Sequence, residues 1–374
     1  GVWGMALVMG AQDFLEFYKE TFLGYSKIFQ RYVVKKLEEK HYITYNSQIE
    51  LSDNENTIQV EKGQDSKAIA QTATEKRFSG FYESLEFTKL YKYSIPLFYE
   101  NNESGTILEC LKKSSVQEFD EASFSPSYMI ATTIDDAKPL YINENRDVYV
   151  KFVLQKSYYD SSDGIQINYR FPIVIYFDLE HNILEVRFDS IRHDPTVSIG
   201  MNGIIVTECI KWLKDVLGIS LFTCEHTKLI STIKDNPDGS VCIYKQMMEL
   251  SSGGSAELTA SEQTDYVLPF IGELRELISE NEPIFDQSEE IKRLLLQYLE
   301  DKETTAHYPY VYIKWVRPID SESYIVKIIF DYFQQKYTLM QHISGNCKDF
   351  GKERMNNAIK YLCESSSFTK GEKL

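Results

Sequence analysis

The 374-residue sequence is poor in the features that mark specialised architectures. Its 18 glycines and 10 prolines exclude a collagen-like chain, and 43% hydrophobic residues exclude a wholly disordered one. Six cysteines (Cys110, Cys209, Cys224, Cys242, Cys347 and Cys363) are scattered without any C-x-x-C pair, so neither a disulfide scaffold nor a common zinc module is expected. No charged stretch followed by an apolar run opens the chain. The longest apolar runs, such as 171–177, fall far short of the roughly 20 residues that cross a bilayer. The expectation is a cytoplasmic protein with free thiols and no membrane contact.

Positive charge is also in short supply. Forty basic against 56 acidic side chains give −16, with a pI near 5.0, which opposes general binding to polyanions and leaves only a segregated basic groove for nucleic acid. The phosphate cradles G-x-x-x-x-G-K-[ST] and G-x-G-x-x-G are missing, as are H-E-x-x-H, G-x-S-x-G and the zinc-deaminase spacing. Common catalysis thus has no motif here, and no cofactor or metal is expected.

What is present begins with an aromatic stripe. Leu15, Tyr18, Phe22, Tyr25, Phe29 and Tyr32 recur at alternating spacings of three and four, which predicts one long helix over about residues 11–40. Phe14, Phe17, Ile28 and Val33 widen the stripe towards a domain core. If it contacts another protein or a second copy instead, Tyr18, Tyr25 and Phe29 are the binding residues. Residues 46–66 read as a polar loop, and 72–93 as a helix ending before Pro96. The segment 100–136, with eight acids against two lysines, reads as a solvated acidic surface rather than a nucleic-acid mimic.

An internal repeat follows. Val148-Tyr149-Val150-Lys151-Phe152-Val153 returns as Val311-Tyr312-Ile313-Lys314-Trp315-Val316, Phe177-Asp178 as Phe330-Asp331, and Ile210-Lys211-Trp212-Leu213 as Ile359-Lys360-Tyr361-Leu362. Three matches in the same order imply a duplicated module. Each copy reads as an antiparallel meander followed by a helix, because period-two alternation gives way to a 3.6-residue period. In the first hairpin Ile173, Ile175 and Phe177 should meet Phe188, Val186 and Leu184, leaving Tyr176, Asp178, Glu185, Arg187 and Asp189 on a solvent face. Ile205, Cys209, Trp212, Leu213 and Val216 should cover the first sheet, and Met355, Ile359 and Leu362 the second. The expected class is α+β: a helical N-terminal part, then two pseudo-symmetric antiparallel β-meander-plus-helix modules. The expected regions are 1–145, 146–226, 227–305 and 306–374. The third holds a turn at 235–239, a loop at 251–264 and two helices over 266–279 and 288–301, while 365–374 should fray.

Three constellations could carry chemistry. Cys224 and His226 share a face if extended, but no further ligands complete a metal site, and His193-Asp194 before Pro195 reads as a turn. Asp178, Glu185 and Arg187 loosely match the acid, acid-x-base layout with which PD-(D/E)xK nucleases hold Mg²⁺. Arginine at the third position departs from that layout because it does not give up a proton, and the second copy offers Asp331 with Thr338 and Met340. Lys151 and Lys314, beside Tyr149, Phe152, Tyr312 and Trp315, would be the phosphate-contacting and base-stacking residues of a nucleic-acid binder. The preferred reading is a non-catalytic interaction or scaffold subunit of a larger cytosolic assembly, homo- or hetero-oligomeric. The alternative is a nucleic-acid binder or Mg²⁺-dependent nuclease. Its cellular setting would be bacterial antiviral defence, since the abundance of Tyr, Phe, Ile, Lys and Asn points to an AT-rich bacterial or phage source.

Overall fold

The computed structural model describes residues 7–8, 10–45, 57–101, 105–126, 129–160, 162–192, 198–234, 239–249, 255–259, 274, 277–305, 308–319, 322–335, 337–343 and 351–374. The chain is α+β. It divides into two compact units, unit 1 from Gly1–Thr223, Asn346–Asn357 and Gly371–Leu374, and unit 2 from Cys224–Gly345 and Ala358–Lys370.

Unit 1 opens with β1 (Leu7–Val8), which pairs with β6 (Met129–Ile130), and then two helices in place of the single one expected. α1 (Ala11–Leu23) stops at Gly24, and α2 (Lys27–Glu39) starts anew after Ser26, whose hydroxyl accepts from Phe29 N at 3.2 Å. The end of α1 is tied to a distant side chain. The Arg192 guanidinium donates to the Glu20 (3.0 Å) and Thr21 carbonyls at the end of α1, and a Cβ on Gly24 would lie 1.9 Å from it. The aromatic stripe faces inward: Phe14, Tyr18, Phe22 and Phe29 are buried with Val33 and Leu37 against Ile69 of α3 (Asp65–Ala73) and Phe81 and Tyr82 of α4 (Ser79–Thr88). The loop expected over 46–66 contains β3 (Ile58–Val60), paired in parallel with β2 (Ile43–Tyr45), while residues 46–56 lie outside the described residues. The helix expected over 72–93 is instead the end of α3, a 3₁₀ turn and α4. Tyr93 already begins β4 (Tyr93–Asn101), with Pro96 inside the strand opposite Glu185.

The sheet of unit 1 runs β4-β10-β9-β8-β7 in antiparallel pairs, with β8 Asp147–Asp160, β9 Ile165–Asp178, β10 Ile183–Phe188 and β7 Leu140–Glu144. Short β5 (Gln117–Glu118) adds in parallel to β7, and β11 (Ile219–Glu225) pairs with the far end of β4. Phe177 lies opposite Leu184 and Ile175 opposite Val186, the register that the hydrophobic alternation specifies. This apolar face packs under α6 (Ser198–Leu217), where Trp212 meets Phe152 edge-on at 4.9 Å. Ile205, Cys209 and Leu213 are buried as expected, but Val216 is 41% exposed. α5 (Ile107–Lys113), closed by a Thr106/Glu109 capping box, lies in the segment expected to be only an acidic surface. The other face is buried too. Tyr176, Asp178, Glu185 and Arg187 are each at most 1% exposed, so it is no solvent face; α1, α4 and the segment 351–357 cover it. The last residues do not fray: Glu372 N donates to Thr223 Oγ1 at 3.0 Å and Leu374 N to Leu221 O at 2.9 Å, as part of β17 (Thr369–Lys373).

Unit 2 carries β12 (Val241–Glu249), β13 (Ser255–Thr259), β14 (Tyr310–Ile319), β15 (Glu322–Asp331) and β16 (Tyr337–Ile343) in the antiparallel order β13-β12-β14-β15-β16. β13 falls inside the loop expected over 251–264. α7 (Leu229–Lys234) and α8 (Glu289–Thr305) flank the sheet strands in sequence, and α9 (Glu353–Glu364) contributes buried Ala358, Ile359 and Leu362. Residues 235–238 and most of 266–279 lie outside the described residues. Three strands, a helix and a strand follow one another in both halves of the repeat, but the matched residues are not in equivalent register. Val148 sits opposite Phe177, whereas Val311 sits opposite Ile328, two short of Phe330, because the pairing of β14 with β15 shifts register between Trp315 and Ile319. No helix among the described residues is long and apolar enough to cross a membrane.

Candidate functional site

Five polar side chains meet beneath the helical layer of unit 1. Glu83 and Glu86, three apart on α4, point the same way. Lys151 from β8 lies 2.6 Å from Glu83 Oε1 and 3.0 Å from Glu86 Oε2, and donates to the Glu83 carbonyl at 2.9 Å. Arg170 from β9 donates through Nε to Glu86 Oε1 (2.8 Å) and through Nη2 to Glu83 Oε2 (2.8 Å) and Glu86 Oε2 (2.7 Å). Tyr18 from α1 donates to Glu83 Oε2 at 2.5 Å, and its ring lies 4.2 Å from the Arg170 guanidinium. None of the four charged side chains is more than 6% exposed. Burial alone would raise the Glu86 carboxyl, yet Arg170 and Lys151 hold it down at about 2; burial, with Glu83 and Glu86 nearby, pushes the Tyr18 hydroxyl well up. Two acids and two bases therefore balance in a dry setting, where loss of one partner strands the others.

A cavity of about 130 Å³ opens over this cluster. Glu83, Lys151 and Arg170 lie on its wall, Phe14, Phe124, Leu140 and Val153 supply apolar lining, and Asp136 and Lys138 contribute charge. Sequence reasoning missed the two glutamates. Their signal is the run Phe81-Tyr82-Glu83-Ser84-Leu85-Glu86-Phe87, in which acids stand among aromatics with no polar face to hold them.

The residues singled out from sequence are placed differently. Tyr18 is 0% and Phe29 6% exposed, and Tyr25 is packed against both Phe22 and Phe29, so these three pack as core, while Ile28 at the stripe's margin is exposed. Asp178 caps its own hairpin turn, accepting from Glu180 N at 2.9 Å and meeting His181 Nδ1 at 2.7 Å. Glu185 accepts from Ser94 Oγ at 2.7 Å and, through its other oxygen, from Arg187 Nη2 at 2.6 Å. Arg187 in turn lies 4.1 Å from the Tyr176 ring. The triad thus shares a face that is buried, which corrects the solvent-face expectation. Lys151 is likewise sealed, and Lys314 is half-buried on β14. Cys224 is buried, and the His226 ring stacks on Phe330 at 4.3 Å. His193 and Asp194 lie outside the described residues. Among the described residues no group of three His, Cys, Asp or Glu side chains is arranged to hold a metal.

Unit 2 offers a different kind of surface. On α8, Leu299 is fully buried beside Met248 and Ile278, with Leu295 and Leu296 partly buried against them. Ile291, Leu294 and Tyr298, at spacings of three and four, are 54%, 66% and 50% exposed. The apolar residues of α8 are therefore divided, half packed inward and half presented outward. Lys292 is tied to Glu282 (3.0 Å) and Asp286 (2.8 Å) at the start of the helix. No protein-family model and no curated protein matches this chain.

Proposed function

We propose that this is a non-catalytic interaction or scaffold subunit of a larger cytoplasmic assembly, and that the outer face of α8 is where another protein docks. The observation that carries the reading is the exposed stripe Ile291, Leu294 and Tyr298. Single exposed apolar residues are ordinary, whereas three on one helix face form the start of a helix-in-groove or helix-on-helix contact. The repeated modules serve as the frame that holds this face. The alternative, a nucleic-acid binder or Mg²⁺-dependent nuclease in bacterial defence, loses support because Asp178, Glu185, Arg187 and Lys151 are engaged by internal partners.

Native mass spectrometry of the full chain, purified from its own host, tests the reading. Wild type is expected to carry a stoichiometric protein partner or a second copy, and Ile291→Asp with Leu294→Asp to lose it while the melting temperature stays within a few degrees. A monomeric wild type at micromolar concentration with no protein bound, or an association that survives both substitutions, overturns it. Bound nucleic acid would favour the alternative.

A further inference from the structure

We propose that the cavity over the ion cluster of unit 1 is a binding site for a small organic carboxylate with an apolar body, held by Arg170 and Lys138. The argument starts from a donor count. A guanidinium has five N–H groups. Arg170 commits Nε and Nη2 to Glu86 and Glu83, while Nη1 donates to no atom among the described residues and keeps accessible surface. The side chain is otherwise 6% exposed and lines the cavity, so its free donors belong to that space. Lys138, on the wall of the same cavity, is exposed and has no acceptor among the described residues. The acids nearby are occupied: Glu83 accepts from Tyr18, Lys151 and Arg170, and Asp136 from the Thr133 hydroxyl at 2.8 Å. An anion thus finds the uncommitted donors of Arg170 and Lys138 on this wall, with the Glu83 carboxylate already engaged by three donors.

Charge and size narrow the class. Lys138, Lys151 and Arg170 stand against Glu83, Glu86 and Asp136, a formal balance of zero, which suits a monoanion better than a phosphate dianion. A dry cavity of roughly 150 Å³ is known to admit a benzene-sized guest, and this one is of that order, with Phe14, Phe124, Leu140 and Val153 to cover a ring or branched chain. An aromatic or branched short acid fulfils both demands. This site belongs to unit 1 alone and stands or falls independently of the α8 surface.

Calorimetric titration of the full chain with benzoate, neutral benzamide and inorganic phosphate tests the site. Benzoate is expected to bind at one site, about tenfold or more tighter than benzamide or phosphate, because only it combines charge with an apolar body. Lys138→Ala, an exposed change that leaves the fold intact, should weaken benzoate severalfold, and Ala137→Trp, on the loop beside Lys138, should abolish it by filling the opening. The melting temperature of each variant without ligand confirms that it folds. Equal affinity for benzoate and benzamide, tighter binding of phosphate, no benzoate binding at about 10 mM, or affinity unchanged in both folded variants overturns the proposal.

Discussion

Lys151 in unit 1 and Lys314 in unit 2 hold the same place in nearly identical hexapeptides, yet one is 1% exposed and the other half-buried. Around Lys151 both faces of the sheet are covered. Phe152 and its neighbours meet α6, and Lys151 itself meets Glu83 and Glu86 of α4. Around Lys314 the burial alternates: Val311, Ile313 and Trp315 are buried, and Tyr312 and Lys314 between them are half-buried. A strand's own sequence therefore fixes which residues share a face, but what lies over that face decides how far a lysine there is withdrawn from water.

The sharpest way to break this contrast is to remove each amine. Lys151→Met leaves Glu83 and Glu86 with Arg170 alone and should cost about 3–5 kcal/mol, whereas Lys314→Met should stay within about 1 kcal/mol. Urea denaturation followed by hydrogen exchange in β8–β9 and β14–β15 separates the two; equal losses would mean that burial is not the operative difference.

Acid supplies a second lever. The folded Glu86 carboxyl lies at about 2 against an ordinary 4.5, so its stabilising contribution is complete above pH 4.5 and disappears as the pH falls from there towards 2. Protection of β8–β9 should fall in that window sooner than protection of β14–β15. Glu257 of unit 2 is also held low, by hydrogen bonds from Lys245 and Tyr310, but it lies at the surface where water screens the effect. Glu86→Gln should flatten the acid response of unit 1.

A third variant probes how tightly the covering layer is fitted. A Cβ on Gly80 would lie 2.2 Å from the Glu121 carbonyl oxygen, a backbone atom with little freedom to move, so Gly80→Ala should destabilise unit 1 by about 1–3 kcal/mol. The smallest effect is expected at the hairpin ends. Asp178→Asn weakens the cap on Glu180 and the pairing with His181, about 1 kcal/mol in thermal or chemical melts, while Asp331→Asn, at an exposed position, should change stability by no more than about 0.5 kcal/mol.

The α+β class and the register of the first hairpin were legible because alternation leaves only one way to bury Ile175, Phe177, Leu184 and Val186 together. The fate of Tyr176, Asp178, Glu185 and Arg187 was not. Alternating acids and bases look the same whether they face water or satisfy one another under a helix, and only the distant α1 and α4 decide between the two. The end of α1 is held by Arg192, far along the chain, and the last strand is held by Leu221 and Thr223. The ion cluster was half legible: acids among the aromatics of α4 required a partner, but periodicity could not say which of the 40 basic side chains would supply it.

Unit 1 is assembled from separated stretches of the chain, and the segment 351–357 supplies Met355, whose sulfur accepts from Tyr91 N at 3.4 Å, Asn356, which donates to the Tyr149 hydroxyl at 2.7 Å, and Lys352, which pairs with Glu144. During synthesis on the ribosome these groups emerge only after the whole of Cys224–Gly345. The nascent N-terminal portion must therefore wait with part of its polar sheet face uncovered, and that interval is when chaperones have most to bind.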